Sequence, residues 1–405
     1  MPMTRGPGGE VLLQMTRVRG LSAWLVRVIV VGLVATPLEA QSPTAVSADR
    51  VLIGMEAETG VFPVDEENLG MRLVIREVND AGGVHGRALE VRGYPRAGGA
   101  AVDQAVANAR RLVDEDGVFF LLNFGGPAAV GVAELAMARE VPHLFPHTAL
   151  VTMDGGRYVF TSYPRYAGES LVMLEHLTET RGARRIGIVH AANIYGEYFR
   201  DRLGSQATRF GYAVAGAHAL EERDPGDLSD AMAALRATRP DTVVMAVYPA
   251  QARRVMEAKA ALAWDDVTMV SSGPLTDEQY LDVPGGAAEG TVGFCHYPDP
   301  NLAEAPGIEA YRALMRRYHP GHPMNRYSLY GYVFGRLALE GLERAGRDLT
   351  RERFVDAMES IREWDSGGIL PPVSFSSTDH HAQPAGFICE LRDGRFEAMS
   401  GWIEP

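Results

Sequence analysis

Short apolar runs alternate with amphipathic helical patterns along most of the chain. The runs, such as VFFLL and TVVMAV, fit strands that are buried on both faces. Strands are predicted at Val51–Met55, Ala88–Tyr94, Val118–Leu122, His143–Phe145, Arg185–His190, Ala213–Ala217, Thr242–Val247 and Val267–Ser271. Helices are predicted between them, near residues 69–80, 101–114, 127–139, 167–181, 196–210, 227–238, 249–262 and 276–282. This α/β alternation predicts parallel sheets with helices on both faces.

The alternation is interrupted near residues 154–166, which separates two runs of about four β-α units each. Two similar lobes are therefore expected rather than one large sheet. The last quarter of the chain differs: it predicts helices at Ala310–Tyr318, Ser328–Ala345 and Thr350–Ile361, a strand at Val373–Phe375, and a hairpin of Phe387–Leu391 and Phe396–Ser400. If the chain forms two lobes, this part must return to both of them.

The first forty residues have a pattern of their own. Arg17 and Arg19 precede a short apolar stretch, Val28–Ala35, and a polar segment follows Ala40. These three parts are typical of a secretory signal peptide and predict cleavage after Ala40, with a disordered tail as the alternative. Arg27 interrupts the apolar stretch, so a membrane-spanning helix of about 20 residues is not favoured. We therefore expect residues 1–40 to be removed and the mature protein to be periplasmic.

Composition and motifs exclude several classes of function. The net charge of −13, with no basic cluster to offset it, argues against a nucleic-acid-binding protein. The chain has no P-loop, no GxGxxG after a strand, no GxSxG and no HExxH, so neither an enzyme nor a cofactor is expected. His143 and His147 are separated by Pro146, which argues against a metal pair on one helical face. The acidic pair Glu66-Glu67 is expected to be solvated.

The two cysteines, Cys295 and Cys389, allow two interpretations. In an oxidising compartment they could form a disulfide. Both also lie in apolar, strand-like runs, where a free buried cysteine is common. The sequence leaves the two possibilities open.

Candidate binding residues follow the predicted strands. In open parallel sheets, ligands bind beyond the carboxyl ends of the strands. These positions hold Gly125 and Gly126, Thr148, Tyr195, Tyr248 and Ser272. Glycines at the start of a helix can turn backbone N–H groups toward a carboxylate, threonine can donate a hydroxyl, and tyrosines can form the walls of a cavity for a small organic ligand. Tight turns and ordinary packing are the alternatives.

Several of these segments resemble one protein family. The sequence NDAGGVHGRAL at Asn79–Leu89 closely resembles the segment after the first strand in leucine/isoleucine/valine-type solute-binding proteins of bacterial ABC transporters. VFFLLNFGGP, VPHLFPHTAL, GGRYVFTSYPRY and IYGEYF resemble later segments of that family, in the same order. The resemblance implies a type I periplasmic-binding-protein fold, in which two doubly wound lobes are joined by three crossings. It assigns residues 48–163 plus 298–366 to lobe 1 and 164–297 plus 367–405 to lobe 2.

The same resemblance implies a function. A small ligand (an amino acid, an amide or a carboxylic acid) would be captured between the lobes and delivered to a membrane permease by a monomeric chain. Thr148 falls on the family's ligand-binding threonine, Tyr195 on the tyrosine that covers the ligand, and Tyr248 and Ser272 on contacts from the second lobe. Tyr166 ends the first crossing and is a further candidate. A sensory complex and an exported enzyme are the alternatives, since one fold hosts several functions.

Three positions depart from the family's pattern. The turn that contains Ser272 lacks the acid that often holds a ligand ammonium in this family. Gly126 stands where a hydroxyl residue is usual, and Glu56 and Glu58 enter the first β-α loop. Either Glu58 holds the ammonium from the other lobe, or the ligand is not an α-amino acid.

Overall fold

Two separate sheets form the framework of the protein. The computed structural model describes residues 45–96, 102–150, 156–221, 225–276, 283 and 286–404. The predicted signal peptide at residues 1–40 lies outside these ranges, as does the predicted helix at 276–282 apart from Thr276. Within the described residues, no helix is both long enough and apolar enough to cross a membrane.

The first sheet consists of parallel strands. They are β1 (Arg50–Met55), β2 (Ala88–Arg92), β3 (Phe120–Leu122), β4 (His143–Leu144) and β5 (Val159–Phe160). Their order is β2-β1-β3-β4-β5, so the strand order reverses beside β1. Loops at such a reversal diverge to opposite faces of the sheet and leave a crevice at the carboxyl ends of the strands.

The second sheet repeats this arrangement and adds an antiparallel edge. Its strands are β6 (Arg185–Ala191), β7 (Ala213–Leu220), β8 (Thr242–Ala246), β9 (Thr268–Ser271), β10 (Val292–Cys295), β11 (Phe387–Arg392) and β12 (Arg395–Ala398). Their order is β12-β11-β10-β9-β8-β6-β7, with β6 to β10 parallel and β11 and β12 antiparallel. The α/β class and the two doubly wound sheets predicted from the sequence are confirmed.

Helices cover both sheets. Those packed on the first sheet are α1 (Phe62–Asp80), α2 (Val102–Asp114), α3 (Ala128–Ala138), α8 (Pro306–Tyr318), α9 (Arg326–Ala345) and α10 (Arg351–Glu359). Those on the second are α4 (Tyr166–Glu175), α5 (Ile194–Phe210), α6 (Ser229–Ala237) and α7 (Pro249–Ala261). A π-helical turn at His176–Thr180 continues α4, and a 3₁₀ turn spans Gly273–Leu275. We call each sheet with its helices the first and the second lobe.

The chain passes between the lobes three times: after β5, after β10 and before β11. The predicted strand at Val373–Phe375 is wrong, because Val373 pairs only with Trp364, in an isolated bridge. Val373 and Phe375 instead pack in the core of the first lobe. The lobe boundaries that the resemblance implies stay a prediction.

Helices α1 and α9 touch through glycines. A Cβ atom on Gly331 of α9 would lie 1.9 Å from the carbonyl oxygen of Glu67, and one on Gly70 of α1 would lie 2.0 Å from that of Ser328. Contacts under about 3 Å between a carbon and a backbone oxygen are not tolerated without backbone movement. The two helix backbones therefore pack as closely as they do because both positions lack a side chain.

We expect Gly331→Ala to lower the free energy of unfolding by about 3 kcal/mol or more, because the added Cβ atom overpacks the α1–α9 contact. Gly204, inside α5, is the matched control, since a Cβ atom added there would meet no atom of another element within 4 Å. Gly204→Ala should be neutral or stabilise by up to about 1 kcal/mol. Urea denaturation followed by circular dichroism measures both. Equal effects at the two positions would contradict the close helix contact.

The two cysteines form a disulfide. Cys295 of β10 and Cys389 of β11 are bonded, with Cα atoms 5.9 Å apart, and both residues are fully buried. They are 94 positions apart in the sequence. The bond, which lies in the second lobe, therefore closes a loop that contains α8, α9 and α10 of the first lobe. Of the two interpretations of the cysteines, the disulfide is the one found.

Candidate functional site

A cavity of about 240 Å³ lies between the carboxyl ends of the two sheets. Loops that follow β1, β2, β3 and β4 line it from the first lobe, and loops that follow β6, β7, β8 and β9 line it from the second. Most of the wall is apolar or aromatic, including Val61, Val64, Leu220 and Val247. A cavity at this place is expected, because ligands of doubly wound folds bind at the carboxyl ends of the strands.

The structure brings six of the eight predicted site residues to this cavity. Its wall contains Gly125, Gly126, Thr148, Tyr166, Tyr195 and Tyr248. Ser272 lies behind the wall, where its hydroxyl pairs with the Tyr195 hydroxyl at 2.6 Å. Glu58 is exposed, has a φ of +45° and does not line the cavity. Whether these residues bind a ligand stays a prediction.

Three tyrosines form one wall of the cavity. The ring of Tyr195 lies 5.6 Å from that of Tyr166 and 6.0 Å from that of Tyr248, between ring centroids. Burial raises the pKa values of Tyr166 and Tyr195 above the ordinary range, so both hydroxyls are neutral. The Thr148 side chain of the first lobe lies close to Tyr166, which begins the second lobe, and acts against burial to lower the pKa of Tyr166. The two lobes are therefore in contact at the cavity.

Asn193, which the sequence analysis did not identify as a candidate, holds two residues of this wall in place through hydrogen bonds. It is the N-cap of α5, and its side-chain oxygen accepts from the backbone N–H groups of Tyr195, at 3.1 Å, and Gly196, at 3.3 Å. Its amide nitrogen donates to the Tyr248 hydroxyl at 3.0 Å. An N-cap asparagine is a helix-start signal in sequence. It could have been found by that signal, because it lies between the predicted strand Arg185–His190 and the predicted helix near residues 196–210.

The two glycines let neighbouring loops of the first lobe pack closely. The Gly126 N–H donates to the carbonyl oxygen of His147 at 2.9 Å, and the backbone N–H of Gly125 faces the Glu56 carboxylate and acts to lower its pKa. A Cβ atom on Gly125 would lie 2.5 Å from that of His147. The glycines thus allow the loops after β3 and β4 to lie side by side, and the Gly126 amide is satisfied within the protein. A contact between the Gly125 amide and a ligand stays a prediction.

A buried ion pair, Glu56 with Arg96, was also missed. Arg96 lines the cavity, and its Nε and Nη2 atoms lie 3.2 and 3.3 Å from the two carboxylate oxygens of Glu56. The side chains are 5% and 1% exposed, respectively. Burial raises the pKa of Glu56 to about 7, opposed by the charge of Arg96 and the Gly125 N–H. This pair therefore places a desolvated guanidinium at the cavity wall beside a carboxyl group that can take up a proton near neutral pH.

The acidic pair of α1 is not solvated, contrary to expectation. Glu67 is fully buried, and its Oε1 atom lies 2.5 Å from His147 Nδ1 and 2.8 Å from the Tyr163 hydroxyl. Glu66 is also buried and accepts from Asn325 at 2.7 Å. Burial of these acids is offset by specific partners from distant parts of the chain. His147 completes the first cluster and is part of the cavity wall.

The described residues contain no cluster of three or more histidine, cysteine or acidic side chains that could hold a metal ion. His143 is fully buried against Phe124 rather than at the cavity. Burial lowers the pKa of His143 to about 3, so its ring is neutral. The histidines at positions 143 and 147 thus have separate environments.

The chain matches one family model and is similar to several known proteins. The family model described as "Periplasmic binding protein" matches residues 58–395. Among curated proteins, the chain is similar to "Leu/Ile/Val-binding protein homolog 7" of Brucella abortus (strain 2308). The two are 23% identical over 304 residues, which cover 69% of this chain and 73% of the relative.

Solved structures share the fold. A branched-chain amino acid ABC transporter protein from Thermus thermophilus with bound valine superposes with a TM-score of 0.76 at 14% identity, covering 88% of this chain and 96% of that one. A fatty acid ABC transporter substrate-binding protein from Thermomonospora curvata superposes with a TM-score of 0.79 at 20% identity, covering 90% and 95%. At these identities the likeness concerns the fold.

Proposed function

This chain belongs to the periplasmic binding protein family, and on that premise we propose that it captures a small organic ligand between its lobes and delivers it to an ABC-type permease. The ligand class is an amino acid, an amide or a carboxylic acid. The observation that carries the proposal is the cavity between the carboxyl ends of both sheets, with Thr148 on one side and Tyr195 and Tyr248 on the other. Binding occurs without turnover.

The size of the cavity supports a small ligand. A cavity of about 150 Å³ in another protein is known to hold benzene. The cavity here is about 240 Å³, which leaves room for an aromatic ring or a branched chain together with one polar group. The two similar solved structures, one with bound valine and one from a fatty acid transporter, both concern ligands with an apolar body and a carboxylate. A long alkyl chain is too large for the cavity in this conformation.

Two further points belong to the proposal. We infer that residues 1–40 direct export to the periplasm, where the mature chain is a monomer. The Cys295–Cys389 disulfide supports export, because disulfides persist in oxidising compartments and are rare in the cytosol. Analytical ultracentrifugation of the mature chain gives its oligomeric state directly.

Thermal-shift screening tests the proposed function. The mature protein is screened against amino acids, aromatic and aliphatic carboxylic acids, and small amides. A ligand present at about 1,000 times its Kd adds roughly 4 kcal/mol to the free energy of unfolding. We expect at least one compound to raise the melting temperature by several degrees. If no compound of these three classes does so, the proposed function is wrong as to its ligand class.

A further inference from the structure

Arg96 is a cation built into the cavity wall. The residue is 6% exposed, so its guanidinium is largely desolvated. Its ion-pair partner in the described part of the chain is Glu56, which is itself only 1% exposed. A desolvated guanidinium forms strong, charge-assisted hydrogen bonds with carboxylates. The chemistry of this wall is therefore suited to a carboxylate.

We propose that Arg96 holds the carboxylate of an apolar monocarboxylic acid and that Glu56 takes up one proton from solvent when this ligand binds. The proposal rests on the proposed function and names the ligand class and the coupled protonation at the same site. No covalent bond forms or breaks in the ligand. The ligand stays ionised, and the proton ends on the Glu56 carboxyl group.

Charge balance is the reason for the proton uptake. Before binding, and with Glu56 ionised, the Glu56–Arg96 pair is neutral overall. A bound ligand carboxylate and Glu56 would then share one guanidinium. Two buried carboxylates that share one site are not both kept ionised. The other charged group that faces Glu56 among the described residues is Asp65, which also disfavours a negative Glu56. Protonation of Glu56 restores neutrality, with the ligand as the new partner of Arg96.

The pKa of Glu56 fits this role. Burial raises it to about 7 in the ligand-free protein, and a bound carboxylate raises it further by repulsion. Below about pH 7, Glu56 is already protonated in the ligand-free protein, so the affinity for the acid is independent of pH. Above about pH 7, binding takes up a proton, and affinity falls by about tenfold per pH unit until the pKa of the bound state is reached.

The surrounding acids do not provide a site for an α-ammonium group. Glu221 is the one acid in the described lining, and it is exposed, where an ion pair contributes little. Glu67 is behind His147 and hydrogen-bonds with it and with Tyr163. Glu58 does not reach the cavity. A ligand with an ammonium group would lose hydration without a buried partner, so desamino acids are favoured over amino acids.

Matched compounds test the ligand class. Isothermal titration calorimetry compares 4-methylvalerate with leucine and 4-methylvaleramide, and 3-phenylpropanoate with phenylalanine and 3-phenylpropanamide. We expect at least one of the two acids to bind, with a Kd at least about tenfold lower than those of its amino acid and amide. Tighter binding of an amino acid or amide, or no binding of any of the six, overturns the inference. The first of these results leaves the proposed function standing, and the wider thermal-shift screen judges it separately.

The pH dependence tests the coupling. Titrations at about pH 6, 7 and 8, each in two buffers of different ionisation enthalpy, give the Kd and the number of protons taken up. We expect uptake to approach one proton at about pH 8 and the Kd to rise by about tenfold between about pH 6 and 8, of which about fivefold falls between about pH 7 and 8. A Kd without pH dependence and without proton uptake overturns the role of Glu56.

Two variants separate binding from folding. Glu56→Gln keeps the shape of the protonated group, so its Kd should be independent of pH and, at about pH 8, about tenfold lower than that of the wild type. The double variant Glu56→Gln/Arg96→Gln leaves no uncompensated buried charge, and we expect it to bind the acids at least about tenfold more weakly than Glu56→Gln. Circular dichroism verifies that both are folded. If the double variant binds the acids as well as the single one, Arg96 is not the carboxylate partner.

Discussion

Replacing Cys295 and Cys389 together with alanine should lower the free energy of unfolding by about 4 kcal/mol. The disulfide spans 94 sequence positions, and the loss of chain entropy on closing a loop of this length corresponds to roughly 4–5 kcal/mol in the unfolded state. The effect is large because the loop is long. The loop contains three helices of the first lobe, although the bond itself lies in the second. Urea denaturation of the mature protein measures the change.

Reduction provides the control for this prediction. The wild-type protein, unfolded and refolded with a strong thiol reductant present, should match the double alanine variant, and the variant should not respond to the reductant. A wild-type transition that is unchanged by the reductant would mean that the bond does not stabilise the fold. The comparison separates the stability lost with the disulfide bond from the stability lost through the small packing change when two cysteine side chains become alanine.

Replacing Tyr195 with alanine should raise the Kd of whichever screened compound binds best by about 30- to 1,000-fold, as expected for an aromatic group at the centre of a buried contact. Tyr195 is 6% exposed and lies between Tyr166 and Tyr248. Its removal opens the wall of the second lobe and admits water. Calorimetry at constant pH measures the change.

Tyr195→Phe is the matched control. It removes only the hydroxyl that pairs with Ser272 at 2.6 Å, and such a bond contributes about 1 kcal/mol, equivalent to a Kd change of about fivefold. We expect the phenylalanine variant to bind nearly as well as the wild type. Equal losses in the two variants would show that the ring is not a wall of the binding site.

Much of the fold follows from the sequence because the central strands are apolar on both faces. The predicted strands Val51–Met55 and Thr242–Val247 agree to within one residue with β1 and β8. The elements that the sequence pattern does not predict are those that depend on contacts with distant parts of the chain. Strand β5 has only two residues. Helix α1 begins at Phe62 rather than near residue 69, because its buried acids have partners that no local pattern reveals.

The sequence predicts the position of the site but not its full chemistry. Strand ends located Thr148, Tyr195 and Tyr248 correctly at the cavity, since parallel strands share one carboxyl edge. Arg96 was missed because it lies beyond the end of β2, and its partner Glu56 is 40 residues away in the sequence. Such a pair is visible only when the two loops are placed side by side.

A crystal structure of the mature protein with the best compound of the thermal-shift screen would decide whether the cavity between the lobes is the binding site. We expect electron density for one molecule in the cavity, in contact with Thr148 of the first lobe and with Tyr195 or Tyr248 of the second. Density for the compound elsewhere on the protein, with this cavity holding only water, would contradict the proposed function.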